Sequence, residues 1–316
     1  MSAAPRLVTV VLPTHNHGRY LDAALRSVLA QRGVSLDVIV VDDGSTDDTA
    51  AVLAPWLEQG VRLLRQPQRG ASAARNRGIA MARGEHLAFL DADDQWPRTD
   101  MLDAALACLA EDPALGWTFG DAQPFTEDLA GQHVFIDRPY LLSGGRYQSP
   151  GPHAARTTVT AADLCNDDRF FIPTGSAVIR RRCLDEVGGF DEGLRMFEDT
   201  DLWLRLLRYP VAFFPDVLLW RRVHDSNLSH RRWAHLDDLR VLFERHGLER
   251  QGVPWAFHAA RAHYGAGREA WRAGRFAAAA AEFGRAFAQR RSVKAGLGCV
   301  AASLAARLRP GGQDAD

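Results

Sequence analysis

Leu87-Ala88-Phe89-Leu90-Asp91-Ala92-Asp93-Asp94 decides how the rest of the chain is read. An apolar run of strand character ends in three carboxylates with one alanine among them. Acids crowded at a strand end repel one another and destabilise the fold unless a cation neutralises them. A divalent ion held by one or two carboxylates and by the phosphates of a substrate is the usual solution. The plainer reading is that the acids cap the next helix, but Trp96-Pro97 delays that helix. An EF-hand loop would need Gly at its sixth position and Glu at its twelfth, and these are Trp96 and Leu102.

Working outward, the first 120 residues alternate between strand and helix periods. Residues 7–12 read as a buried strand. A helix follows, with Tyr20, Leu21, Ala24, Leu25, Val28 and Leu29 on one stripe. Residues 37–41 form a second strand, again ending in acids at Asp42 and Asp43. Ser45 is expected to start a helix with Asp48 as its capping-box partner, and Pro55 to kink or end that helix near Ala54. Strands at 61–64, 86–90 and 115–119 and helices at 71–82 and 101–111 complete the series. Such alternation predicts an α/β fold, a mostly parallel sheet with helices on both faces. Ligands bind such sheets outside the carboxyl ends of the strands. Residues 13–16, Asp42-Asp43 and 91–94 all follow strand ends, so they should converge on one crevice.

Residues 121–170 read as loop-rich, a lid or binding surface. Thr174-Gly175-Ser176 reads as a place for close backbone approach to a ligand, and residues 199–207 as a helix. From Trp255 the pattern changes to Phe257, Tyr264 and Trp271 every seven residues, then Phe276, Ala279, Phe283 and Phe287 after Gly274. This is one tetratricopeptide-like hairpin in a helical extension.

Composition bounds the class. A length of 316 residues suggests about two domains, and 47% apolar residues suffice for a full core. Cys108, Cys165, Cys183 and Cys299 show no CxxC pair, which fits a reducing compartment. No run approaches the ~18 apolar residues of a membrane span, and the reading is a cytoplasmic protein. Net charge is −1, but residues 255–310 hold ten basic against two acidic residues, a net +8. A solvated basic face is the plain reading, and contact with an anionic membrane surface the sharper one.

Other motifs have two readings each. Asp42 and Asp43 are either structural acids or acceptors for a nucleobase imide or a ribose hydroxyl. Arg75-Asn76-Arg77 offers a cation to a diphosphate, yet surface arginines are common on helices. Glu198, Asp199 and Asp201 either complement a helix dipole or supply a general base whose pKa the adjacent acid raises. His224 is either a loop histidine or the nitrogen ligand that an otherwise oxygen-bound manganese accepts. There is no GxxxxGK[ST], GxGxxG after the first strand, HExxH or GxSxG.

With these residues in place, a resemblance can be stated. The motifs are Val-Val-Leu-Pro-Thr-His-Asn (10–16) with Tyr20-Leu21, Val-Val-Asp-Asp-Gly-Ser-Thr-Asp-Asp-Thr (40–49) and Ala-Ala-Arg-Asn-Arg-Gly (73–78). Phe-Leu-Asp-Ala-Asp-Asp (89–94), Gly-Gly-Phe-Asp-Glu (188–192) and Glu-Asp-Thr-Asp-Leu-Trp-Leu-Arg (198–205) follow in order. Over about residues 6–230 the chain resembles the family 2 glycosyltransferases of the GT-A fold. The resemblance implies a GT-A type Rossmann-like domain at 1–230, with a nucleotide-binding half (about 1–120) and an acceptor half (about 121–230), and a helical extension at 231–316. It implies that Pro13, Thr14, His15 and Asp43 contact the base and ribose of a nucleotide-sugar, with Arg75 near the diphosphate or base. Asp91 and Asp93 would be the DxD pair binding Mn2+ or Mg2+, with Asp94 assisting and His224 completing the metal site. Asp199 would be the base of an inverting transfer. The expected substrates are a UDP-linked sugar and a glycan, glycolipid or other hydroxyl acceptor. Peripheral membrane contact through the basic C-terminal helices is expected, and a nucleic-acid partner is not. Two other classes compete: a nucleotide-sugar-binding or scaffold protein without catalysis, and a nucleotidyltransferase.

Overall fold

The computed structural model describes residues 6–127, 132–135, 154–165, 172–224 and 235–308. The chain divides into two compact units, 1–224 and 225–316. The first opens with β1 (Leu7–Thr14), α1 (Gly18–Leu29), β2 (Ser35–Asp42), α2 (Thr49–Leu57), β3 (Arg62–Arg65) and α3 (Ala71–Ala80). These are followed by β4 (His86–Phe89), α4 (Met101–Glu111) and β5 (Trp117–Glu127). After them come β6 (His133–Phe135), β7 (Ala155–Thr157), α5 (Ala161–Leu164), β8 (Val178–Arg180), α6 (Arg181–Val187), α7 (Glu198–Leu206) and β9 (Val211–Arg222).

The sheet order is β3-β2-β1-β4-β8-β5-β9-β7, with β6 pairing β5. The first four strands are parallel, β8 is antiparallel to both of its neighbours, and β5 and β9 are parallel. Apart from its first residue β1 is buried along its whole length, as a parallel strand covered on both faces must be. Val8, Val10 and Leu12 join a core with Leu21 and Leu25 of α1, Leu53 of α2 and Leu102, Leu106 and Leu109 of α4. On the other face Val11 meets α3, where a Cβ at Gly78 would lie 2.3 Å from a Val11 methyl. That face also carries Phe89 edge-on to Phe190. Trp117 and Trp203 stack nearly parallel at 5.1 Å.

Register places the chemistry. Thr14 pairs with Asp42 and Val11 with Phe89, so Asp91 lies two residues beyond the last pair of β4. The ends of β1, β2 and β4 therefore share the carboxyl edge of the sheet, as the alternation predicts.

Several local expectations are corrected. No capping box starts at Ser45: its Oγ accepts from the Asn16 amide, and α2 begins at Thr49, whose amide and hydroxyl donate to Asp47 Oδ1. Pro55 does not stop α2, which runs on to Leu57 with Trp56 buried. The fifth strand continues to Glu127, so part of the expected loop region is sheet, and β7 and α5 lie within it as well. The short β6 lies there too, and residues 128–131, 136–153 and 166–170 fall outside the described residues. Thr174-Gly175-Ser176 is a buried 3-10 turn. The close approach at Gly175 is to Leu219, whose Cδ1 a Cβ would meet at 2.8 Å, and the Gly175 carbonyl accepts from Trp96 Nε1.

The second unit holds α8 (Leu236–His246), α9 (Trp255–Arg272), α10 (Phe276–Gln289) and α11 (Val293–Leu308). Ala270, Ala279, Phe283 and Ala302 form its small core, with Tyr264 at 5.4 Å from Phe283. Gly267 leaves room for the Phe283 ring, which a Cβ would approach within 2.7 Å. Among the described residues no helix is long and apolar enough to cross a membrane.

Candidate active site

At the end of β1, His15 and Asn16 stitch the strand to the loop after β2. The His15 Nδ1–H donates to the Asp43 carbonyl at 2.9 Å, which leaves Nε2 to accept from the Asn16 and Gln68 amides. Asn16 adopts a left-handed φ of 55°, and its Oδ1 accepts from the Thr46 amide at 2.7 Å. Asp43 is buried and accepts from Gln66 Nε2 and the Arg69 amide on Oδ1 and from the Gly70 amide on Oδ2. Asp42 accepts from the Ser45 amide. Both acids thus hold loops. An ionised carboxylate has about four acceptor positions, so Asp43 retains one. Pro13 is buried, and so is Thr14, whose Oγ1 has no hydrogen-bond partner.

The three acids after β4 turn three ways. Asp91 accepts from Arg75 at 2.7 Å. Asp93 accepts from His224 Nε2 at 2.9 Å. Asp94 accepts from the Arg222 amide at 2.9 Å, which pins β9. Burial and the neighbouring Asp93 and Asp91 carboxylates push Asp94 well above the usual range. Burial alone would raise Asp93 too, but the His224 hydrogen bond and the His17 and His224 charges hold it low.

Arg75 is 5% exposed and bridges Asp91 to Glu198, at 3.1 Å, while its guanidinium lies 5.1 Å over the Phe190 ring. Burial would weaken its hold on the proton; Asp91 and Glu198 outweigh that, and its pKa rises. One cation thus ties the acid-tipped strand to the start of α7. There Phe197 takes a left-handed φ of 66°, a strained conformation for an aromatic residue and one that clusters at functional sites. Asp199 follows, half-buried, and desolvation with the adjacent Glu198 charge pushes its carboxyl up to about 7.

One atom each from His17, Asp93 and His224 able to bind a metal lies within 4.8 Å of the others. Asp91 is not in this group. Tyr20 stacks on His224 at 5.3 Å, and Arg222, 3% exposed, lies 4.4 Å over Tyr20 and donates Nε–H to the Asp93 carbonyl. Sequence reading missed His17, Arg222 and the bridging role of Glu198. His17 was findable, standing two residues after His15 in the same strand-end motif. Arg222 was not, because only strand pairing brings it to Asp94.

Asn76 explains a further motif: its amide exchanges both hydrogen bonds with the Phe190 backbone and donates to Glu192, clasping α3 to the 188–192 loop. A cleft of about 390 Å³ beside that clasp, lined by residues such as Gln66, Arg69, Arg77 and Glu192, contains none of the strand-end acids.

The chain is similar to known proteins. The profile described as Glycosyl transferase family 2 matches residues 9–188, and that described as Glycosyltransferase like family 2 matches 133–247. The uncharacterised Mycobacterium tuberculosis (strain CDC 1551 / Oshkosh) protein MT1568 is 34% identical over 228 residues, 70% of this chain and 69% of its own. Escherichia coli chondroitin synthase is 27% identical over 232 residues, 72% of this chain but only 30% of its own length. The mannosyltransferase PcManGT of Pyrobaculum calidifontis, solved with GDP-Man and Mn2+, has the same fold: TM-score 0.58, 23% identity, 98% of this chain and 82% of that one. The fold is therefore of the GT-A type, and with more than half its length inside the family profile the chain belongs to glycosyltransferase family 2.

Proposed function

We propose that the protein transfers a sugar, with inversion, from a nucleoside-diphosphate sugar to an acceptor hydroxyl during synthesis of a cell-surface polysaccharide or glycolipid. The observation that carries the reading is the buried Arg75 bridge, which couples the strand-end acids to the helix that bears Asp199. In this reading residues 1–230 are the catalytic domain and 231–316 the extension.

Asp199 takes the proton from the acceptor hydroxyl as that oxygen attacks the anomeric carbon. A carboxyl at about 7 suits the task, because a base poised near the working pH is both ionised and basic. Thr14 Oγ1, the remaining acceptor position of Asp43 and the His15 ring face receive the nucleoside beside Pro13. Pinned at both nitrogens, His15 meets a base through its face. Arg75 and Asp91 orient the diphosphate end.

Asp93 and His224 fit a divalent cation: a buried carboxylate kept ionised sits 2.9 Å from an imidazole nitrogen. They would hold Mn2+ or Mg2+, which when bound neutralises charge on the departing nucleoside diphosphate. Arg222 and Tyr20 keep those two ligands in place.

Peripheral contact with the cytoplasmic face of a membrane is part of the proposal. Val293, Leu297, Val300 and Leu304 of α11 are each more than half exposed, at helical spacing along one stripe, with Arg290, Arg291 and Lys294 near its start. An apolar stripe beside bases suits an anionic interface.

The test is a binding screen of UDP-, GDP- and dTDP-sugars with and without Mn2+. UDP sugars are expected to bind in a metal-dependent way, with GDP sugars as the competitor that the Pyrobaculum neighbour suggests. Binding of none would remove the reading.

A further inference from the structure

His17 stands just before α1, where a polar side chain usually caps the helix. It makes no side-chain cap; its backbone carbonyl accepts from the Tyr20 and Leu21 amides instead. Its ring lies edge-on to His224, with centroids 5.9 Å apart, and is partly buried against Tyr20. The side chain is thus turned toward the Asp93–His224 pair, not toward the helix it precedes.

The spacing suits a shared ion. Two atoms bound to one cation at about 2.1–2.2 Å each are at most about 4.4 Å apart. The ligand atoms of His17, Asp93 and His224 all lie within 4.8 Å of one another. Three atoms cannot all lie opposite one another, so the widest of these separations has to close by about 1 Å or less for one ion to meet all three.

We propose that His17 is a third protein ligand to the catalytic cation, making a set of two imidazoles and one carboxylate. The proposal rests on the reading of Asp93 and His224 as a metal pair. Two nitrogen ligands favour Mn2+, Fe2+, Co2+ or Zn2+ over Mg2+, which keeps oxygen ligands and several waters. The protein therefore binds Mn2+ without nucleotide, and prefers it to Mg2+ by more than an Asp–His pair alone would.

The test is titration of the full chain with Mn2+ alone, read by electron paramagnetic resonance, with pulsed measurements counting the nitrogens bound to the ion. Mg2+ affinity is obtained by competition. Wild type is expected to show two coordinated nitrogens, and His17→Gln and His224→Gln one each. His17→Gln should loosen Mn2+ by about tenfold or more while changing Mg2+ less than about threefold, since a lost imidazole matters most to the ion that prefers nitrogen. The helix start is backbone-capped, so an unchanged melting temperature should show that the variant is folded. If His17→Gln leaves nitrogen count and Mn2+ affinity intact while Asp93→Asn and His224→Gln lose binding, His17 is no ligand and the metal pair stands. If wild type holds no Mn2+, or Asp93→Asn binds it as well as wild type does, the metal reading falls and His17 with it.

Discussion

Replacing Arg75 with methionine keeps much of the side-chain volume and removes the cation that Asp91 and Glu198 share. Breaking a buried ion pair costs about 3–5 kcal/mol, because the remaining charge is left without a partner. Here Asp91 is 40% exposed and Glu198 19%, so water recovers part of the loss and the lower end, about 3 kcal/mol, applies. For a unit of 224 residues this corresponds to a melting temperature lower by about 6–12 °C. Arg75→Lys keeps the charge but reaches only one acid at a time, and should lose about half as much. The substitution also acts on Asp199, whose carboxyl Arg75 holds down: in Arg75→Met it rises above its value of about 7, and any residual turnover needs a more alkaline pH. Urea unfolding and thermal melting measure the first effect, pH-dependent donor turnover the second. A stability loss below about 1 kcal/mol in Arg75→Met would refute the bridge as the element that joins the two halves of the site.

Other consequences are equally specific. Glu198→Gln removes the like charge beside Asp199, so the base ionises at lower pH and the acid limb of the activity profile moves toward acid; an unmoved limb would contradict the assignment. Gly78→Ala drives a Cβ to 2.3 Å from Val11 Cγ1 and should destabilise by about 1–3 kcal/mol, with Val11→Ala in the same chain restoring most of it in urea unfolding. Leu297→Glu on the exposed α11 stripe should abolish binding to anionic liposomes while donor turnover stays at the wild-type rate.

Most of the fold was legible because its first half alternates cleanly between periods: β1, β2, β4 and α4 fall within a few residues of their expected bounds. The strand-end acids were legible for the same reason, since parallel strands put every βα loop at one edge. What could not be read was how those acids divide their partners. Asp91, Asp93 and Asp94 are nearly adjacent, yet they face Arg75, His224 and the Arg222 amide, two of them more than 120 residues away. Local propensity misled at Ser45, where a tertiary bond from Asn16 took the oxygen that a capping box would have used. The last helix of the extension, α11, escaped because it is rich in alanine, leucine and glycine, with no aromatic period to announce it.

Asp199 as the base is the centre of the account, and metal-dependent turnover of the preferred nucleotide-sugar across pH, in wild type and Asp199→Asn, tests it most directly. Wild-type turnover should rise with pH through about 7 and level off, as the carboxyl loses its proton. Asp199→Asn should lower turnover by about 10²–10⁴-fold and flatten the profile, with donor affinity retained. Turnover within tenfold of wild type, still rising through the same pH, would place the proton transfer on another group.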